Sequence, residues 1–497
     1  MPSTQPQLDP RLLAANLSGF HYIDGALARP VAGGRFDVHF PATMEVIGQV
    51  ASGDTADVAV AVAAAKAAQV GWAAMRPRDR GRLVAACGAR LQAHVEELAR
   101  LTALETGKAI RTESRVEAGV VADVFVYYGG LAGEVKGETV PFHPDQIVYT
   151  VHEPIGVVGA IIPWNVPMLL MALKVAPALV AGNAVVVKSS EWAPFGVLRI
   201  AQLLGELLPK GVFNIVGGDG PTAGAPLVEH PDVGKVTFTG SVPTGRLIAR
   251  LAADKLIPAT LELGGKSPML VYADADFDAV VAGAVASMRF TRQGQSCTAA
   301  SRILVERSRL RAFVDAMRAR VDQLVIGDPL DEATDIGTII APRQMASIQR
   351  YLALGKAIPG AVWHECGQLR TDARHVDGLF VRPHIFEGLD NDSQLAREEI
   401  FGPVTVVIPF DTHEEAIAMA NDSQYGLAAT VWTKDLARAL DAVQRLQAGF
   451  VQVNQNLVVQ PQLSYGGWKH SGIGKEADLA AMTHHFMRQK TVLLRVR

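Results

Sequence analysis

Cysteine is nearly absent. The chain holds three in 497 residues, Cys87, Cys297 and Cys366, too few for a disulfide framework, which points to a reducing compartment. Charge of a single sign is missing as well. A net charge of −3 gives no basic field for phosphate backbones, so nucleic acid is not an expected partner. No CxxC or HExxH pairing occurs, and the adjacent His484 and His485 face different sides of any helix or strand. No metal site is expected. The opening MPSTQPQLDPRLLAANLSGF lacks the basic and apolar regions of a secretory leader. One segment imitates a membrane span, the uncharged PIGVVGAIIPWNVPMLLMAL from Pro154 to Leu173. Pro163 and Pro167 break it into strand, turn and helix start, and a bilayer would leave that backbone unsatisfied. The expectation is a cytoplasmic protein that uses neither membrane nor nucleic acid.

What is present is the balance of a globular α/β protein, 49% hydrophobic and 20% charged, long enough for two or three domains. The N-terminal part reads as helical. DTADVAVAVAAAKAAQVGWAAM opens on cap-type Asp54 and Thr55, and Leu83, Val84, Cys87, Leu91, Val95 and Leu98 stack on one helical face. Cys87 on that stripe reads as core, and Cys366 as a residue of a short strand or turn without a role. From about residue 150, short apolar runs (GVVGAII, NAVVVKS, FNIVGG, KVTFTG) alternate with helical stretches, which argues for a parallel sheet covered on both faces. A second series follows Gly265: PMLVY, RILVE, VTVVIPF, AATVWT and GFVQVNQ, with helices near 276–290 and 309–323. EVKGETVPF, QIVYTVHE and the distant KTVLLRV are extended strands expected to pair with one another and to form an oligomer contact.

Several segments carry chemistry. In TFTGSVPTG, Gly240 and Gly245 permit a tight strand-to-helix turn whose free N–H groups suit a phosphate; alone, the spacing fits an ordinary βα turn equally well. VVVKSSE ends a strand with Lys188 and Glu191, and a carboxylate beside a ribose accepts from its hydroxyls and repels a 2′-phosphate. The pair of features favours a dinucleotide, NAD over NADP. LELGGKSP puts Glu262 at a strand end among apolar residues, a setting that raises a carboxyl pKa and suits a base, although a solvated strand-end carboxylate fits the same pattern. PWNVP pins Asn165 between prolines, where an amide can serve an oxyanion. EEIFGPV sets Glu399 and Phe401 on one side of an extended segment. Cys297 in GQSC is, by its own segment, either a small packed residue or a nucleophile.

PWNVP, TFTGS, LELGGKSP, GQSC, EEIFGPV and the closing YGGWKHSGIGKE occur in an order and spacing that resemble the aldehyde dehydrogenase superfamily over nearly the whole chain. The resemblance implies a Rossmann-like cofactor domain (1–128 and 150–262), a catalytic α/β domain (263–476) and a small strand-built oligomerisation domain (129–149 and 477–497), in a homodimer or homotetramer. It implies Cys297 as nucleophile, Glu262 as general base and Asn165 as oxyanion donor, with Lys174 and Glu476 at positions that relay protons in some members. Cofactor contacts implied are Ile161, Ile162, Pro163, Trp164, Lys188, Glu191, Gly220, Phe238, Gly240, Ser241, Thr244, Leu263, Gly264, Glu399 and Phe401. Ser189-Ser190 after Lys188 departs from the proline-containing turn frequent in the family.

The same resemblance places Val120, Val166, Leu170, Leu173, Leu457 and Val459 along a substrate tunnel, with Ser296 and Thr298 beside the nucleophile. A quaternary ammonium aldehyde calls for aromatic faces; positions 166 and 173 are aliphatic, and Tyr465 offers one ring. The expected substrate is a medium-chain aliphatic, terpenoid or aromatic aldehyde, oxidised to the acid with NAD and water. A coenzyme A-acylating dehydrogenase and a non-catalytic binding protein on the same fold are the alternatives.

Overall fold

Four of the apolar runs, with the strand that Glu262 ends, form the centre of the first sheet. In the computed structural model, which describes residues 9–456 and 460–496, they lie in the spatial order Phe213–Val216, Ala184–Lys188, Val157–Ile161, Val233–Thr239, Ala259–Glu262. All four pairings are parallel, and the two strands Val157–Ile161 and Ala184–Lys188 are buried throughout. Burial on both faces is why they read as continuous apolar runs instead of alternating ones. The strand order reverses between Val157–Ile161 and Val233–Thr239. Crevices outside the carboxyl ends of strands at such a reversal are where open α/β sheets take ligands. Residues 162–165 and 240–241 leave the sheet at that place.

A second sheet runs Val362–Glu365, His384–Glu387, Val404–Phe410, Arg302–Glu306, Pro268–Val271, Ala428–Trp432, Phe450–Val453. Only its first pair is antiparallel. The short strand Gly472–Ile473 returns to pair antiparallel with Ala259–Glu262, so the closing segment of the chain ties the second half to the first sheet. A third sheet joins the distant strands expected to meet: Gln146–Pro154 pairs with Met487–Arg495 over nine residues, and Thr139–Val140 with Gln146–Pro154 on its other side.

Two readings of the N-terminal part need correction. Residues 21–51 are not helical but carry four strands, His21–Ile23, Ala26–Ala28, Arg35–Phe40 and Glu45–Ala51. The first two are three residues long and extend the first sheet through pairing with Phe213–Val216, a partner no local pattern announces. The stripe from Leu83 to Leu98 spans two helices, Pro77–Gln92 and Val95–Thr106. The break falls at Ala93 and His94, neither of which is a helix breaker. Thr55–Ala74 starts as expected, with the Asp54 side chain accepting from the N–H groups of Ala56 and Asp57.

Candidate active site

The loop that presents Cys297 is tightly curled. Arg289 and Gln293 take left-handed backbone angles (φ 55° each), followed by Gly294 at φ 65°. Such angles at non-glycine residues persist only where surroundings impose them. The restraint is an ion pair: Arg292 Nε donates to Glu113 Oε2 at 2.7 Å and Thr291 Oγ1 donates to Glu113 Oε1 at 2.5 Å. The guanidinium of Arg292 and these donors outweigh burial and hold the Glu113 carboxyl below its ordinary value. Gln295 adds a tie to the facing segment, its Oε1 accepting from Ile340 N at 3.2 Å.

Cys297 and Asn165 open into one cavity of about 460 Å³ at the reversal of the first sheet. Asn165 Nδ2 donates to the carbonyl of Gln295 at 3.1 Å. The LELGGK segment crosses directly behind Cys297: a Cβ on Gly265 would lie 2.4 Å from the Cys297 carbonyl oxygen. Glycine there serves close backbone approach. Glu262 ends its strand with both carboxyl oxygens buried and without a hydrogen-bond partner among the described residues. Burial first, then the charge of Glu476, raises its pKa well above the ordinary carboxylate range, and Lys174 and Lys475 pull the other way. The Cys297 thiol is pushed up to about 11, chiefly by burial, while a hydrogen bond from Tyr465 lowers it and the charge of Glu262 raises it. Thiol, amide and carboxyl therefore share one neighbourhood.

Lys174, fully buried, pairs with Glu476 at 2.6 Å, and Thr237 Oγ1 donates to the same carboxylate oxygen at 3.1 Å. A further buried lysine sits close by, Lys235, which donates to Thr260 Oγ1 at 2.7 Å and is brought down to about 7 by burial.

Of the expected cofactor contacts, Pro163, Trp164, Glu191, Gly240, Ser241, Leu263, Gly264, Glu399 and Phe401 line the cavity. Ser241 caps the helix Val242–Asp254, whose free N–H groups and positive end suit a phosphate. Gly240 and Gly245 are not needed for φ, contrary to the turn argument: neither is left-handed. They are needed for space, since a Cβ would fall 2.4 Å from the Phe238 ring and 2.5 Å from Leu263 respectively. Lys188, Ile161, Ile162, Gly220, Phe238 and Thr244 are not on the wall. Lys188 stands behind Glu191 at 3.6 Å; Thr244 bonds Ser241 through its hydroxyl at 2.9 Å; Gly220 begins a separate turn at Gly220–Gly224. Thr239 Oγ1, on the wall, is buried without a hydrogen-bond partner among the described residues, as is fitting for a group left to a ligand.

Glu399 and Phe401 share the wall but not an extended alternation, because Phe401 has φ 55°. Gln344, unmarked in the sequence, holds that strained turn by donating from Nε2 to the carbonyls of Ile400 and Phe401 at 3.1 and 2.9 Å. Trp164 meets the Phe401 ring edge-on at 5.3 Å. Glu399 Oε1 accepts from Gly265 N at 3.0 Å, and burial lifts its carboxyl to about 7.

On the other side of Cys297, Val166, Leu170, Leu173 and Tyr465 belong to one buried apolar cluster, against which Cys297, Val120, Tyr127 and Phe450 pack. Ser296 and Thr298 bond each other through their hydroxyls at 3.2 Å. Leu457 and Val459 lie outside the described residues.

The aldehyde dehydrogenase family matches residues 29–492. The chain is 41% identical over 474 residues, 95% of itself and 96% of the relative, to a betaine aldehyde dehydrogenase of Rhizobium leguminosarum bv. trifolii. The structure of betaine aldehyde dehydrogenase from Staphylococcus aureus in complex with NAD+ superposes with TM-score 0.94 at 36% identity, covering 99% of this chain and 98% of that one. A point mutant of an aldehyde dehydrogenase from Bacillus cereus matches at TM-score 0.94 and 35% identity, over 100% and 99% of the two chains. With the fold matched end to end and the family pattern spanning nearly all of the sequence, the chain belongs to the aldehyde dehydrogenase family.

Proposed function

We propose that the chain oxidises an aldehyde to its carboxylic acid with NAD+ and water, with Cys297 as nucleophile, Asn165 as oxyanion donor and Glu262 as base. The observation that carries this reading is a half-buried thiol and a fixed amide on the wall of one cavity, with the buried Glu262 carboxyl behind that wall close enough for its charge to act on the thiol. NAD+ bound there supplies the hydride acceptor. Its pyrophosphate would lie at Ser241 and the start of Val242–Asp254, its adenosine ribose at Glu191, and its nicotinamide ribose at Glu399 beside Phe401. Glu191 on the wall favours NAD+ over NADP+, because it repels a 2′-phosphate.

The sulfur of Cys297, once ionised, attacks the carbonyl carbon, and the negative oxygen is held by Asn165 Nδ2 and the Cys297 N–H. Loss of hydride leaves a thioester on Cys297. Glu262 takes a proton from water, whose oxygen adds to the thioester carbon; collapse releases acid and thiolate. An unpartnered carboxyl with a raised pKa supports water over coenzyme A as the acyl acceptor.

The aliphatic residues Val166, Leu170 and Leu173 support an uncharged substrate with a medium-chain, terpenoid or aromatic body. A quaternary ammonium aldehyde is the second reading. It is supported by relatives named betaine aldehyde dehydrogenase and by the rings of Tyr465 and Phe450, 5.9 Å apart in the same cluster. The expected boundary at 149/150 cuts the strand Gln146–Pro154, whose last five residues pair with Met487–Thr491; we therefore assign cofactor binding to 1–128 and 155–262, catalysis to 263–476 and self-association in the cytoplasm to 129–154 and 477–497.

The test is NADH formation over a panel of hexanal, benzaldehyde and betaine aldehyde, with NAD+ and NADP+, with and without coenzyme A. Acid formation lost in Cys297→Ala is expected. A kcat/KM for betaine aldehyde far above that for hexanal and benzaldehyde would select the second reading.

A further inference from the structure

Tyr465 takes no part in the steps above, yet it touches the reacting sulfur. Its side chain is buried, with the ring edge-on to Phe450. Its backbone is clamped to Glu476 in both directions, Tyr465 N donating to the Glu476 carbonyl at 2.9 Å and Glu476 N to the Tyr465 carbonyl at 2.7 Å. With ring and backbone both held, the fold sets where the hydroxyl sits. It sits 3.5 Å from Cys297 Sγ, within hydrogen-bond reach of a large sulfur atom.

The direction of this bond follows from the protons available. A thiol can donate to the phenol oxygen, but a thiolate has no proton, so in the reactive form the phenol O–H is the only donor of the pair. We propose that Tyr465 is a catalytic residue whose hydroxyl donates a hydrogen bond to the Cys297 thiolate, both before attack and when the thioester collapses. The inference rests on Cys297 being the nucleophile. In attack, the sulfur electron pair forms the carbon–sulfur bond and the carbonyl pair moves to oxygen. In hydrolysis, the water oxygen bonds to the acyl carbon, its proton goes to Glu262, and the carbon–sulfur bond breaks with its pair returning to sulfur. Tyr465 keeps its proton throughout and steadies the sulfur charge at the start and at the end. Burial and the neighbouring Cys297 and Glu262 charges hold the phenol well above its ordinary pKa, which keeps that proton in place.

The experiment is Tyr465→Phe, which retains ring and volume. The rate of Cys297 alkylation by iodoacetamide is followed against pH without aldehyde, counting only the Cys297 peptide by mass spectrometry so that buried Cys87 and Cys366 do not contribute. A charge-assisted hydrogen bond is strong enough that its loss should cut the thiolate fraction about tenfold at a given pH. The alkylation profile should move about one unit to higher pH, with slower single-turnover release of acid and KM for aldehyde little changed. An unmoved profile in a folded Tyr465→Phe protein overturns the proposal. Full turnover by Cys297→Ala would instead remove the reading it rests on, whatever the alkylation profile shows.

Discussion

Asn165 donates its amide hydrogen to the carbonyl of Gln295, two residues before Cys297, at 3.1 Å. That bond uses one of the two amide hydrogens and fixes the plane of the group, leaving the second for an oxygen in the cavity. Asn165→Ala removes both functions. Its kcat should fall about 10²- to 10³-fold, the range for loss of one oxyanion donor, whereas loss of a single hydrogen bond should lower stability by about 1 kcal/mol. Steady-state kinetics beside thermal melting checks this. A kcat within a few-fold of the parent would remove Asn165 from the mechanism.

Gly265 makes a different prediction, because its importance is spatial. The Cβ of Gly265→Ala would stand 2.4 Å from the Cys297 carbonyl oxygen and 3.2 Å from Leu427 Cβ. Backbone has to move to make room, and overpacking of this kind costs about 1–3 kcal/mol. The shift falls on the residue that carries the thiol, so kcat should drop at least tenfold along with the melting temperature. In Gly264→Ala the clash is with the end of the Glu399 side chain, at 2.1 Å, which can swing. That variant should keep its stability better and instead raise KM for NAD+. Equal behaviour of the two variants would contradict the placement.

The contrast between these glycines and Phe401 shows what the sequence makes legible. LELGGK, GQSC and PWNVP can be read because each motif keeps a reactive group and its small neighbours together. The central parallel strands can be read because burial on both faces writes itself as apolar runs. By contrast, His21–Ile23 exists through pairing with residues near 215, a contact that three residues cannot encode locally. Phe401 adopts a left-handed angle against its own preference, under the hold of Gln344 from the helix Pro342–Lys356. The opposition of local preference and tertiary restraint is the reason the extended reading of that segment failed.

The Glu262 carboxyl is raised by burial and by Glu476, and with Glu262 proposed as the base it is expected to set the pH dependence of thioester hydrolysis. A base works only when ionised, so the fraction of competent enzyme rises with pH. Single-turnover deacylation should keep climbing above the ordinary carboxylate range instead of levelling within it. Glu262→Gln should leave a first burst of NADH while the steady rate falls about 10²- to 10⁴-fold, the usual contribution of a general base. Rapid-mixing kinetics with trapping of acyl-enzyme distinguishes the two phases. Loss of the burst together with the steady rate would show that Glu262 acts before the thioester forms.

Lys174 and Glu476 act on that same carboxyl from opposite sides. Glu476 raises its pKa and Lys174 lowers it, so Glu476→Gln should move the deacylation profile to lower pH and Lys174→Met to higher pH. Each single change also leaves a buried polar group without its partner, at a cost of about 3–5 kcal/mol in stability. The double variant Lys174→Met/Glu476→Leu removes both charges and should recover most of that loss. Its deacylation profile should fall between those of the singles, because two opposing influences on Glu262 vanish together. Thermal melting gives the stability comparison, and single-turnover rates across pH give the electrostatic one. If both single variants shift the profile in the same direction, the pair reaches Glu262 through altered packing and not through its charges.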